Sequence, residues 1–297
     1  MNRTQRTLPQ YILLVAKGFC MGAADVVPGV SGGTMAFILS IYEELIQSIR
    51  SFDMEVVKLV FRLKIREALD RVNWLFLVCV MGGIFTAIFT LAKGLAWLLE
   101  NQPVLIWSFF FGLVLASVAV VSRRVSAWSI HLLAAGLISA VGAFFLVGMV
   151  PVQTPETWWF LFLSGAIAIC AMILPGISGS FILVLLGKYQ YALQAVNNRD
   201  FVTLFILACG AAVGLISFSR LLSWLFRRHH NLTIAILAGL MLGSLRKVWP
   251  WKIAEANAWP SAFNGETALA LGLVVFGAIA VLLIEYLGAE RETHQNE

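Results

Sequence analysis

Apolar residues fill long blocks of this chain, at about 11–49, 74–99, 103–122, 128–150, 157–195, 202–226, 232–245 and 267–288, separated by short polar stretches. Most blocks supply the ~20 residues that a helix needs to cross a hydrocarbon core of ~30 Å. The pattern predicts an all-α polytopic membrane protein. Two blocks are interrupted, by Val27-Pro28-Gly29-Val30-Ser31-Gly32-Gly33 and by Leu174-Pro175-Gly176-Ile177-Ser178-Gly179-Ser180. Proline removes a backbone donor and glycine relaxes the helix, so each run predicts a deliberately broken helix at membrane depth. The arm over 11–24 has only 14 residues, ~21 Å of helix. It is too short to cross, and is expected to enter, turn at the Pro-Gly tip and return on the same side.

The two breaks are copies. Gly18, Ala24, Pro28, Ser31, Gly32 and Tyr42 face Gly165, Ala171, Pro175, Ser178, Gly179 and Tyr189 at a constant offset of 147. Past a loop that is 20 residues longer in the first copy the offset becomes 127, and Gly83, Lys93, Trp97, Gly112, Leu113 and Ser117 face Gly210, Arg220, Trp224, Gly239, Leu240 and Ser244. The chain therefore reads as two repeats, 1–150 and 151–297, each a re-entrant pair (11–49 and 157–195) followed by three transmembrane helices. Three crossings per repeat is an odd number, so the second repeat must lie inverted relative to the first. With the N-terminus inside, the inner segments hold 13 Lys and Arg: Arg3, Arg6, the six of residues 50–71, Arg123, Arg124, Arg227, Arg228 and Arg291. The outer segments hold 4: Arg199, Arg246, Lys247 and Lys252. That bias follows the positive-inside rule.

Composition narrows the picture further. With 60% hydrophobic residues, 12% charged and a mean hydropathy of +0.87, a soluble globule is excluded. No small-x-small cleavage site precedes the first break and Lys17 interrupts the apolar run, so the N-terminal segment is expected to stay in the mature protein. Cys20, Cys79, Cys170 and Cys209 lie inside apolar blocks without metal-like spacing and read as small core residues, with no metal site. Trp74, Trp97, Trp107, Trp128, Trp158, Trp159, Trp224 and Trp249 sit near block ends, as an aromatic belt does.

Four cations fall within or at the ends of apolar blocks: Lys17, Lys93, Lys188 and Arg220. A cation at membrane depth costs at least ~2.5 kcal/mol on insertion scales, which makes each a functional candidate, with snorkelling to a headgroup as the alternative. Snorkelling is at least as good a reading for Lys188. Lys93 and Arg220 are repeat mates, so a pseudo-twofold would direct both to one cavity; Arg suits phosphate through its planar fork. The tips offer a second kind of anion site, in the backbone N–H groups of Gly29, Gly32, Gly33, Gly176 and Gly179 and the hydroxyls of Ser31, Thr34, Ser178 and Ser180. Helix capping is the alternative for the serines. Asp25, whose mate is Met172, either pairs with Lys17 or couples transport to a proton or sodium ion, and Glu43 is a second coupling candidate, with an interfacial position late in the returning half-helix as the favoured alternative. No cofactor motif is present.

The run Lys17-Gly18-Phe19-Cys20-Met21-Gly22-Ala23-Ala24-Asp25-Val26-Val27-Pro28-Gly29-Val30-Ser31-Gly32-Gly33-Thr34, with Ile41-Tyr42-Glu43 and Leu174-Pro175-Gly176-Ile177-Ser178-Gly179-Ser180-Phe181-Ile182-Leu183, closely resembles the bacterial PopT family, over essentially the whole chain. The resemblance implies a polyprenyl-phosphate flippase that returns undecaprenyl phosphate from the outer to the inner leaflet of the cytoplasmic (inner) membrane, for reuse in peptidoglycan and surface-polymer synthesis. It implies a lipid substrate, no nucleic-acid partner and no enzymatic step; oligomeric state is left open. A transporter or channel for a small soluble anion is the alternative. A lipid-phosphate phosphatase is disfavoured, because no buried histidine nucleophile or carboxylate–metal cluster is evident.

The charge bias places both termini in the cytoplasm. Cysteines introduced at residues 2 and 295 should resist impermeant labelling in intact cells, and labelling of either from outside would overturn the inverted arrangement.

Overall fold

A computed structural model describes residues 6–27, 30–152, 154–253, 256–260 and 262–295. Pro28, Gly29 and Arg3 lie outside the described residues, so the first tip is known from its flanks. The chain is nearly all helix. In the first half run α1 (Leu8–Asp25), α2 (Gly32–Ile38), α3 (Tyr42–Arg50), α4 (Met54–Phe61), α5 (Ile65–Arg71), α6 (Trp74–Asn101), α7 (Pro103–Arg123) and α8 (Ile130–Leu146). In the second run α9 (Trp158–Ile173), α10 (Gly179–Leu185), α11 (Tyr189–Asn197), α12 (Phe201–Arg228), α13 (His230–Ser244), the two-residue strands β1 (Lys252–Ile253) and β2 (Ala256–Asn257), and α14 (Gly265–Gln295). Helices α6, α7, α12 and α14 are long and apolar enough to span a bilayer. α8 and α13 are apolar but shorter, at 17 and 15 residues.

The returning arm of each broken pair is itself broken, which the sequence reading did not anticipate. α2 gives way to α3 at Ser40 (φ +56°), and α10 to α11 at Gly187 (φ +64°), positions 147 apart. Glycine enters this left-handed region freely. Ser40 does so without that freedom, and its hydroxyl accepts a hydrogen bond from Arg124 at 2.8 Å. The 20 extra residues of the first half hold α4 and α5, whose junction exposes Phe61, Leu63 and Ile65 beside Arg62, Lys64 and Arg66.

Four helix pairs make the body: α1 with α6, α9 with α12, α7 with α14 and α8 with α13. Each runs parallel, and each is set by glycine. A Cβ at Gly18 would strike the Val80 carbonyl and one at Gly22 that of Ile84; in the second half Gly210 meets Phe162 and Gly214 meets Ala166. Gly112 meets Val274 while Arg123 lies 3.9 Å from Glu285, and Gly239 and Gly243 meet Gly136 and Ala140. Lipid gives helices no hydrophobic reason to associate, so backbone-to-backbone approach at small residues supplies the packing. α2 folds back against α1, and α10 against α9.

Gly83, beside Val15 and Gly18, and Gly210 have no room for a side chain, whereas nothing lies within 4 Å of a Cβ on Gly94. Gly83→Leu and Gly210→Leu should each cost at least about 1–3 kcal/mol through forced separation of a helix pair. A lowered unfolding midpoint of the detergent-purified protein is expected for both, and an unchanged one for Gly94→Ala.

Candidate functional site

The two broken arms meet at the centre, and the join consists of backbone groups that the breaks leave over. Pro175 forbids continuation of α9, and Leu174 before it is extended (φ −67°, ψ 132°). The last carbonyls of α9 then lack intrahelical donors. The first arm supplies them: Tyr42 Oη donates to the Ile173 carbonyl at 3.1 Å, and Ser31 Oγ lies 3.3 and 3.2 Å from the carbonyls of Met172 and Leu174. In return the Gly176 N–H donates to Thr34 Oγ1 at 3.0 Å. Gly176 has φ +91°, and a Cβ there would lie 2.7 Å from Ser244 Oγ. Ser31, Thr34 and Tyr42 are all buried.

Within the first tip the amides of Gly32 and Gly33 are already occupied. Asp25 Oδ1 accepts from the Gly32 N–H at 2.7 Å, and Ser31 Oγ accepts from that of Gly33 at 3.1 Å. A Cβ on Gly32 would run into the Asp25 carboxylate, and one on Gly33 would lie 2.6 Å from the Ile173 carbonyl. Here the serine caps its helix, the alternative weighed above. At the second tip Ser178 Oγ accepts from Phe181 N–H at 3.3 Å and lies 3.4 Å from Ser180 Oγ; Gly179 is buried, Ser178 half-buried and Ser180 exposed.

The four cations do not converge. Lys17 Nζ donates to the Leu39 carbonyl at the end of α2, at 2.8 Å. Lys93 is exposed on α6. Lys188, for which snorkelling was at least an even reading, is instead 1% exposed: its ammonium donates to the Thr154 carbonyl at 2.9 Å and sits 5.8 and 5.7 Å from the rings of Phe160 and Tyr191. Glu43 is an exposed partner of His230 at 3.3 Å. Beside it Glu44 holds Arg6 in a fork at 2.8 and 2.7 Å and accepts from Asn73 at 2.9 Å; the hydrogen bonding to Glu44 raises the Arg6 guanidinium above its ordinary pKa.

Arg220 opens into a cavity of about 640 Å³ between α3 and α12, lined by Gln47, Arg50, Ser51, Asp53, Arg220, Ser223 and Arg227. Arg50 Nη1 donates to Ser223 Oγ at 3.2 Å across it. Asp53 Oδ1 is engaged as the cap of α4, accepting from Val56 N–H at 2.9 Å. Lys93 is not among the lining residues. A second hollow, of about 270 Å³ between α8 and α13, is lined only by Ala140, Val141, Phe144, Phe145, Leu242 and Gly243, and offers no charge. The sequence reading had Arg50 and Arg227 as loop charges serving topology. The signal that finds them is spacing: 220, 223 and 227 share a helical face, as do 47, 50 and 51.

A family model described as VCA0040-like, undecaprenyl phosphate translocase-like, matches residues 21–267. A polyprenyl-phosphate transporter of Vibrio cholerae is 46% identical over 256 residues, covering 86% of this chain and 82% of the relative. A polyprenyl-phosphate transporter of Staphylococcus aureus is 28% identical over 301 residues, covering 94% of this chain and 97% of the relative. No solved structure matches the chain. The join between the broken arms thus lies within the matched span, and the chain belongs to the VCA0040-like, undecaprenyl phosphate translocase-like family.

Proposed function

We propose that this chain moves undecaprenyl phosphate from the outer to the inner leaflet of the bacterial cytoplasmic membrane, returning the carrier for another round of cell-envelope synthesis, and that it does so as a transporter without a chemical step. The observation that carries the reading is the central join of two broken arms, each built on the same Pro-Gly-x-Ser-Gly sequence, in a chain of this family. Such paired breaks are where transporters bind their cargo. The named relatives support the lipid class.

The parallel pairs support an inverted arrangement. Short linkers turn α6 into α7, α7 into α8 and α12 into α13, so neighbours in each series run oppositely. The order of contacts, 112 with 274 and 123 with 285, and 136 with 239 and 144 with 246, has α7 running with α14 and α8 with α13, which supports opposite directions for α6 and α12. Repeat mates then face opposite leaflets, which lets one site be reached alternately from either side. Movement of the arms about Ser40 and Gly187 would expose the phosphate path, while the polyprenyl tail stays in lipid. Ser178 and Ser180, less enclosed than their mates Ser31 and Gly33, would offer it hydroxyl donors, beside the N–H of Gly179.

Reconstituted protein should shift undecaprenyl phosphate between leaflets in a side-resolved assay, with no release of inorganic phosphate. Passage of a soluble anion without lipid movement would overturn the reading in favour of a channel. Coupling has its own test. Asparagine at position 25 can still accept from the Gly32 N–H, so Asp25→Asn should preserve fold but abolish stimulation of transport by an imposed proton or sodium gradient. Undiminished stimulation would remove Asp25 from coupling and leave it as a cap.

A further inference from the structure

We infer that the cavity between α3 and α12 is a one-sided docking site for a phosphate monoester, with Arg50, Arg220 and Arg227 as its anion-binding residues and Gln47, Ser51 and Ser223 as supplementary hydrogen-bond partners. Three arginines line one hollow, and the one carboxylate among the described lining residues, that of Asp53, is engaged at the start of α4. Among the described residues none of the three arginines forms an ion pair, and Arg220 and Arg227 make no side-chain hydrogen bond. Several other cations of this protein have partners, Arg6 in Glu44, Lys58 in Glu55, Lys64 in Glu67 and Lys188 in the Thr154 carbonyl, whereas the three arginines share a hollow. A cluster of like charge repels itself, and an anion removes that cost. Arg220 also lies eight residues inside the end of α12, ~12 Å along the axis. A cation that deep in a spanning helix is expensive unless it faces a wet cavity or a counter-charge. Phosphate in its dianionic form, with three terminal oxygens, matches planar forks approaching from α3 and α12.

The repeat shows that the site belongs to one side. At the related positions Arg50 becomes Asn197, Arg220 becomes Lys93, Ser223 becomes Ala96 and Arg227 becomes Glu100, whereas Gln47 and Asp53 keep their identities as Gln194 and Asp200. The scaffold is retained and the charge is not. Packing follows the same division: α3 lies along α12, but α11 has no comparable contact with α6. A phosphate held on the basic side would meet a lysine and a glutamate on the other. The cavity is therefore a terminal station of the path, on the side that the Lys and Arg distribution assigns to the cytoplasm.

That the ligand is a lipid headgroup rests on the proposed transport function; that it is a phosphate monoester does not. The test is equilibrium binding to the full-length purified protein, with undecaprenyl phosphate, undecaprenol and inorganic phosphate as separate probes. Arg50→Gln, Arg220→Gln and Arg227→Gln should each weaken undecaprenyl phosphate binding at least about tenfold, since each removes a charge-assisted contact. Arg50→Lys should recover part of the loss, and Lys93→Gln should leave this affinity unchanged. Elution profile and unfolding midpoint identify variants that simply misfold, and for these the lysine variant is the reading taken. Displacement of the lipid by inorganic phosphate would identify a site for the anion alone; binding of the lipid without such competition would identify the lipid headgroup. Equal affinity of all three glutamine variants and wild type, in a protein that still transports, would overturn the site and leave the transport function standing. Loss of binding in the variants of a protein that moves no lipid would do the reverse.

Discussion

Inside a bilayer a helix cannot end until some other group accepts responsibility for its last carbonyls. Pro175 ends α9 in the interior of this protein, and the carbonyls of Met172, Ile173 and Leu174 fall to Ser31 and Tyr42 of the other half. The consequence is mutual dependence. The second arm is not complete alone, because the groups that close it are carried on the first, and the buried hydroxyls of Ser31 and Tyr42 in turn find their acceptors only there. The Asp25 bond to Gly32 and the Thr34 bond to Gly176 extend the same logic to the donors. Around this join the glycine-lined pairs act as rigid bars. Two of them, α7 with α14 and α8 with α13, join the halves, so the two halves of the chain are intertwined rather than placed side by side.

Much of this was legible in the sequence, because it rests on rules that act locally. Long apolar blocks dictate helices, and Pro-Gly inside such a block dictates a break. A constant offset then reveals duplication without any knowledge of packing. The second break of each arm was invisible for an equally local reason: Ser40 carries no signature of a left-handed residue, and only its pairing with Gly187 across the offset hints at one. α4 and α5 were hidden among charges, in a segment read for topology alone.

The candidate site was legible only in part. Reading charge by depth singled out Arg220, which does line a polar cavity, and equally singled out Lys93, which faces outward on α6. Depth alone says nothing about direction around a helix. Arg50 and Arg227 enter the sequence reading only as charges of the inner segments, which fixes a side of the membrane and no partner. Lys188 illustrates the converse: its position near a helix end suggested the interface, yet a carbonyl and two aromatic rings enclose it. Tertiary placement, not sequence position, decides between a headgroup and an interior partner.

The shortness of α8 and α13 bears on the membrane itself. At 17 and 15 residues they rise ~25 and ~22 Å, against a hydrocarbon core of ~30 Å. Hydrophobic mismatch of this size is relieved by local thinning of the bilayer, at a fraction of a kcal/mol per Å. Because the two helices lie side by side, their deficits coincide, and thinning of the bilayer to match them would draw the lipid inward at one place on the perimeter. Under the proposed transport function, a polar headgroup travelling along that flank would face a shorter apolar barrier than in the undisturbed membrane.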